Sequence, residues 1–151
     1  MIDWINEGDI FTLKEVKNYA HGCNCAGVMG KGIALQFKIK FPLMYVKYKK
    51  KCSEGKFNLG DVYEYNYGDG YIYNLGTQSS WRTKAKIEAV EFSMRKMLDL
   101  ASRKGVNAIA LPKIGAGLGG LKWQDVKDVI EKMSSEFPNI RLLVVENYRK
   151  N

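Results

Sequence analysis

HGCNCAGVMGKGIALQF, residues 21–37, is the stretch whose reading decides the fold. An apolar run closes on the polar Asn24, glycines follow at 27, 30 and 32, and an amphipathic pattern begins directly afterwards. That order reads as a strand, a glycine loop and a helix. Glycines let backbone N–H groups approach an anion without interference from Cβ atoms, and the helix directs its positive end at the same place. The loop fits neither common phosphate fingerprint. Gly30-Lys31 is followed by Gly32 rather than by Ser or Thr, and the dinucleotide Gly-x-Gly-x-x-Gly spacing is not met here. Two explanations stand at this point: an anion or nucleotide cradle, and tight strand-to-helix packing that only glycine permits.

Working outward, Lys31 to Phe41 places Ile33, Ala34, Phe37 and Phe41 on one helical face, and Pro42 stops that helix before a lysine-rich one over residues 43–53. Residues 61–65 and 71–75 alternate or run apolar around Asn66-Tyr-Gly-Asp-Gly70, as in a hairpin with a glycine-rich turn. A 3.6-residue stripe of Ile87, Val90, Met94, Met97, Leu98 and Ala101 predicts a helix over 83–104 closed by Gly105, and Trp123, Val126, Ile130 and Met133 predict another over 122–136. Residues 107–111 and 141–145 are nearly continuous apolar runs, the pattern of strands covered on both faces. The alternation of strands and helices, without a linker or repeat, predicts one α/β domain over residues 1–151: three layers, α/β/α, around a mixed, mostly parallel central sheet. Ligands of such sheets bind beyond the carboxyl ends of the strands.

Composition narrows the function classes. No run approaches the roughly 20 apolar residues of a membrane span, and the start of the sequence lacks the basic and apolar regions of a signal peptide, so a cytoplasmic protein with no membrane partner is expected. Three cysteines, at 23, 25 and 52, cannot all pair, and with one histidine they make no four-ligand zinc site, so we read them as buried, reduced thiols and expect neither metal nor cofactor. The formal charge of +8 includes a dense cluster of Lys47, Lys49, Lys50 and Lys51. This is either a solvated helix face or a patch for a polyanion, and no nucleic-acid-binding signature accompanies it.

A second glycine loop, LPKIGAGLGG at residues 111–120, again follows a buried strand and precedes a helix. Its four glycines in six residues cost up to about 1 kcal/mol each relative to alanine, so they point to backbone conformations or close approaches that a side chain would block. A pair of loops gripping a diphosphate would account for both. Gly8-Asp9-Ile10-Phe11 contains a carboxylate that either caps a turn or receives the exocyclic amine of adenine. Gly76-Thr-Gln-Ser-Ser-Trp81 is a polar loop after the hairpin in which Trp81 would plug the core edge.

Taken together, Gly8-Asp9-Ile10, the Asn24 to Gly32 loop, the strand ending at Thr77 and the Ile114 to Leu118 loop resemble the macrodomain family, in its order and spacing and over nearly the whole chain. The nearer resemblance is to the branch containing terminal ADP-ribose protein glycohydrolase, the DNA ADP-ribosyl glycohydrolase antitoxins and the fungal-type ADP-ribose 1″-phosphate phosphatase. Val28 to Lys38 is similar to the antitoxin enzymes in particular. The resemblance implies that Asp9 bonds the adenine amine with Ile10 beside the ring, and that Asn24 contacts the distal ribose. It implies a diphosphate held between Gly30, Lys31, Gly32 and Ile33 on one side and Gly115, Ala116, Gly117, Leu118 and Gly119 on the other. Val28, Met29, Thr77, Gln78 and Pro112 complete the expected contacts, with Asn147 and Tyr148 near the adenine.

Two departures bear on chemistry. Glycohydrolases of this branch carry a lysine where Gln78 stands and an acidic residue where Gly119 stands, and neither glutamine nor glycine forms a covalent adduct or shuttles a proton. The phosphatase-like members are similar to this sequence at both points and have a histidine matching His21. His21 and Asn24 are therefore the expected catalytic residues, with a hydrogen-bonded core histidine as the alternative reading of His21. The expected activity is hydrolysis of an ADP-ribose derivative, foremost the 1″-phosphate. The alternatives are a non-catalytic ADP-ribose reader and a hydrolase that removes ADP-ribose from protein or nucleic acid without the lysine. A monomer is expected.

Overall fold

The structure is a computed structural model that describes residues 1–151. In chain order its elements are β1 (Ile2–Gly8), a short 3-10 turn (Ile10–Thr12), β2 (Tyr19–Asn24), α1 (Gly32–Lys40), α2 (Pro42–Ser53), β3 (Val62–Asn66), β4 (Tyr71–Gln78), α3 (Ile87–Arg103), β5 (Ala108–Leu111), α4 (Trp123–Glu136) and β6 (Arg141–Tyr148). The strands form one sheet in the order β1-β6-β5-β2-β4-β3, parallel throughout except for the β3–β4 hairpin.

Each face of the sheet is covered, so the expected three-layer α/β/α architecture with a mixed, mostly parallel sheet is what the chain adopts. On one side α3 and α4 bury Val90, Met94, Met97, Leu98, Val126, Ile130 and Met133 against Leu75, Ile109, Leu111, Leu142 and Val144. On the other, α1 and α2 bury Phe37, Met44 and Tyr48 against Tyr19, Cys23, Ile72, Ala110, Leu143 and Val145. Alternate residues of β5 and β6 serve opposite layers, which is why both strands read as continuous apolar runs. Each fully buried Leu, Ile, Met or Phe contributes about 1.5–3 kcal/mol. Pro42 occupies the first turn of α2, where its missing N–H costs no helical bond, and Phe41 leaves helical geometry at φ −126° and ψ 69° to turn the chain between the two helices.

Three expectations need correction. β1 was absent from the strand pattern because IDWINEG mixes polar and apolar residues without a clean alternation; it is an edge strand, half-covered, paired only with β6, and its Trp4 meets Trp123 edge-to-face at 6.1 Å. α3 starts at Ile87 rather than 83, because the preceding backbone N–H groups bond elsewhere, Ala85 N to Gly119 O at 2.8 Å and Lys86 N to Thr77 O at 2.9 Å. The cysteines are free thiols, but only Cys23 is buried; Cys25 and Cys52 are half-buried. Burial, with Cys52 and Asp61 nearby, pushes the Cys25 thiol up to about 11.

Candidate active site

A cleft of about 610 Å³ opens beyond the carboxyl ends of β2, β4, β5 and β6. Its wall brings together Asn24, the run from Val28 to Ile33, Thr77, Gln78, Pro112, Gly115, Gly117, Leu118, Gly119 and Tyr148. The two glycine loops meet over it. Gly32 opens α1 with φ +60°, a left-handed conformation that favours glycine, and a Cβ built there would lie 3.2 Å from Leu118 Cδ1 of the second loop. Gly119 is the tightest point: a Cβ would stand 2.6 Å from Gly115 O and 3.0 Å from the Ala85 methyl. An acidic side chain has no room there on this backbone.

Asn24 gains its position from the sheet. Register between β2 and β4 shifts between Cys23 and Asn24, an irregularity that releases Asn24 from the strand alternation at the strand end. Its Oδ1 accepts from Ala26 N at 3.1 Å and Val28 N at 3.2 Å, and its Nδ2 donates to Val28 O at 2.8 Å. Tyr48 Oη lies 2.6 Å from Asn24 O and 2.9 Å from Asn24 Oδ1, sharing its proton between them. Burial pushes the Tyr48 phenol far above its ordinary range, so it stays a donor. Asn24 thus moulds the first glycine loop and keeps one amide N–H for a ligand.

Several expected residues lie elsewhere. His21 is fully buried in the layer between the sheet and α1, in the same face of β2 as Tyr19 and Cys23, and does not reach the cleft wall. Its Nε2 is 2.7 Å from Asn74 Oδ1, and its ring stacks on Phe37 at 3.9 Å and 9°. Burial pushes its pKa down to about 4, against the raising effect of the Asn74 bond, so the imidazole is neutral at pH 7. The structure thus places His21 among the hydrogen-bonded groups of the core, away from the cleft. Ile10 is fully buried in the core on the α1/α2 side of the sheet, and Ala116 packs on the α3/α4 core. Asn147 points to the sheet edge, where its Nδ2 donates to Asn6 O at 2.8 Å.

Asp9 stands behind the wall rather than in it. Its Oδ1 accepts from Phe11 N at 2.9 Å and its Oδ2 from Asn151 N at 3.1 Å. Burial first, and then the charge of Asp9, raise the Tyr148 phenol above its ordinary range. Gln78 lines the cleft, and its Nε2 donates to Ser80 O at 2.8 Å and Thr83 O at 3.1 Å.

The cleft also includes groups that the sequence reading passed over. Glu146 lines it but accepts from Trp123 Nε1 at 2.7 Å, and Lys113 follows the buried β5. A polar residue ending an apolar strand run was the available signal for Glu146. Cys23 lines the floor, and burial pushes its thiol well above the ordinary range, so it is no thiolate nucleophile. Trp81, expected as a core plug, is 58% exposed at the cleft mouth because its turn projects past the end of β4.

A Macro domain family model matches residues 20–130. A DNA ADP-ribosyl glycohydrolase from Thermus aquaticus is 38% identical over 127 residues, covering 82% of this chain but 35% of that protein, so the chain spans about a third of the length of such relatives. An ADP-ribose 1″-phosphate phosphatase from Candida albicans is 32% identical over 160 residues, covering 95% of this chain and 98% of that one. Among solved structures, the macrodomain of Thermus aquaticus DarG superposes with a TM-score of 0.88 at 34% identity, covering 97% of this chain and 98% of that one. Sheet order, paired glycine loops and sequence agree: this chain belongs to the Macro domain family.

Proposed function

We propose that the cleft binds ADP-ribose and that the chain hydrolyses an ADP-ribose derivative, foremost the 1″-phosphate monoester. The observation that carries the reading is the meeting of two glycine loops over one cleft, at Gly32 and Leu118, with the start of α1 between them. Their N–H groups would hold the diphosphate. The adenine would sit toward Asp9, Val145 and Tyr148 at the end of β6, and the distal ribose toward Asn24, Thr77 and Gln78 at the ends of β2 and β4. From β6 to β4 is three strand spacings, about 14 Å, so an extended dinucleotide-sized ligand suits the span.

In the reaction, water attacks phosphorus and the bond to the C1″ oxygen breaks, giving ADP-ribose and inorganic phosphate. His21 is neutral and buried, Gln78 is tied to its own turn, and Glu146 is engaged by Trp123. Catalysis therefore rests on orientation of substrate and water and on backbone N–H donors facing the developing charge, with Asn24 positioning the first loop. Release of phosphate from ADP-ribose 1″-phosphate, saturable and inhibited by ADP-ribose, is the expected result. Saturable ADP-ribose binding without phosphate release would refute the activity and leave a reader, the reading favoured by Gln78 and Gly119 standing where a lysine and an acid would be.

A third reading, removal of ADP-ribose from protein or nucleic acid, is supported by the 38% identity to a DNA ADP-ribosyl glycohydrolase. Mass spectrometry of a modified target separates it from the phosphatase. We take the chain as a single, monomeric macrodomain that works in the cytoplasm; no helix is long and apolar enough to cross a membrane.

A further inference from the structure

Glu146 is the one acid among the side chains that line the cleft. A carboxylate in the wall of a cleft that is to hold a diphosphate works against the ligand's charge unless it meets an uncharged part of that ligand. Nothing in the fold neutralises it. Glu146 takes part in none of the chain's ion pairs, and its side chain makes one bond, Oε2 accepting from Trp123 Nε1 at 2.7 Å. That bond fixes the direction of the carboxylate, because Trp123 opens α4 and meets Trp4 edge-to-face at 6.1 Å. The other oxygen, Oε1, has no donor from the chain and is not sealed from solvent.

Its place in the sheet indicates which part of a ligand it meets. β5 pairs with β6 as far as Leu111 and Val144, and Glu146 lies two residues further on, where the chain after β5 has turned at Pro112 toward the second glycine loop. Tyr148, at the pole assigned to adenine, is two residues further along β6. With adenine at Tyr148 and the diphosphate between Gly32 and Leu118, the adenosine ribose crosses the ends of β6 and β5. Glu146 stands there. Lys113, the half-buried cation of the same region, leads directly into the glycine loop, so its charge falls on the diphosphate side.

We propose that Glu146 determines specificity at the adenosine ribose: Oε1 accepts a hydrogen bond from its 2′ or 3′ hydroxyl, and the carboxylate charge excludes a ligand phosphorylated on that edge, with Trp123 as the positioning residue. This rests on the ADP-ribose reading of the cleft. An acid pairs with ribose hydroxyls in dinucleotide sites through the same chemistry, an acceptor-only group meeting a donor. A phosphate monoester on that edge would instead bring about −1.5 to −2 of charge against the carboxylate. The cleft is thus set for ADP-ribose derivatives whose adenosine hydroxyls are free.

Isothermal titration of the intact chain with ADP-ribose, its adenosine 2′-phosphate and its adenosine 2′-deoxy and 3′-deoxy analogues tests this. ADP-ribose is expected to bind at least about tenfold more tightly than the 2′-phosphate, and one deoxy analogue to lose about tenfold, as for a lost hydrogen bond to a charged group. Glu146→Ala should erase both differences. Glu146→Gln, which keeps an acceptor for Trp123 and turns an amide N–H outward, should strengthen the 2′-phosphate and weaken ADP-ribose. Trp123→Phe should narrow the ratio in the parent protein and change nothing in the Glu146→Ala background, a coupling that general loosening of the fold would not produce. Lys113→Ala should weaken both ligands alike. Equal affinity for ADP-ribose and its 2′-phosphate in the parent protein, a ratio that survives Glu146→Gln, or one that follows Lys113 instead, overturns the assignment while ADP-ribose still binds. Failure of the parent protein to bind ADP-ribose overturns the reading of the cleft instead.

Discussion

Replacing Gly119 by alanine is the sharpest probe of the second glycine loop. The added methyl carbon would sit 2.6 Å from Gly115 O, 2.9 Å from Gly115 C and 3.0 Å from Ala85 Cβ. Two of these neighbours are backbone atoms of Gly115, and both residues are tied down: Gly115 O accepts from Leu121 N at 2.9 Å, and Ala85 N donates to Gly119 O at 2.8 Å. The loop must therefore open by several tenths of an ångström and strain both bonds. Overpacking of this kind costs about 1–3 kcal/mol. For a domain of this size each kcal/mol lowers Tm by about 2–4 °C, so Gly119→Ala should melt roughly 2–12 °C below the parent and bind ADP-ribose more weakly. Differential scanning calorimetry and isothermal titration of the same preparation measure both. A Tm within 1 °C of the parent, with unchanged affinity, would show that the loop has slack and would refute the claim that glycine is required here for space. The same obstruction explains why Gly119→Asp should not install a proton shuttle.

Three further outcomes are expected. His21 has its folded pKa lowered to about 4 from an unfolded 6.5, so its contribution is complete above pH 6.5 and is lost as pH falls from there toward 4, by about 3 kcal/mol in all; urea titrations across that range should show this slope, His21→Gln should flatten it, and phosphate release should persist in that variant. Tyr48→Phe removes the shared donor to Asn24 O and Oδ1 and should cost about 1–2 kcal/mol in urea denaturation, with a weaker grip on ADP-ribose. Asp9→Ala should weaken ADP-ribose about tenfold and narrow its advantage over the inosine analogue, read by calorimetry, because the charged acceptor proposed for the adenine amine is lost.

Periodicity was the dependable signal. Met94, Met97 and Leu98 of α3 and the apolar runs of β5 and β6 lie in the core as their spacing demands. The glycine loops were equally legible, since glycine clusters at strand-to-helix junctions mark backbone that favours glycine, through left-handed φ at Gly27, Gly32, Gly115 and Gly120 and through lack of space at Gly119. Edges were not legible. β1 owes its existence to pairing with β6 across the length of the chain, and the 83–86 segment turned away from helix because Thr77 and Gly119 offered its N–H groups acceptors. Neither partner is visible to a local pattern.

The candidate site divides along the same line. The types and order of residues around the cleft come from the chain, as does the concentration of positive charge in residues 16–53. The direction of each side chain does not. His21 belongs to the buried face of β2 because strand residues alternate, while Asn24 escapes that alternation through a register shift against β4. Gln78 turns its amide onto Ser80 and Thr83, and Trp81 is exposed rather than buried as a result of that turn. By itself, then, the sequence determined which elements form and where an anion could be cradled, because those follow from local periodicity and from the absence of a Cβ. Tertiary structure alone decided which polar groups face the ligand and which are consumed by the fold, because that choice depends on hydrogen-bond partners supplied by distant segments.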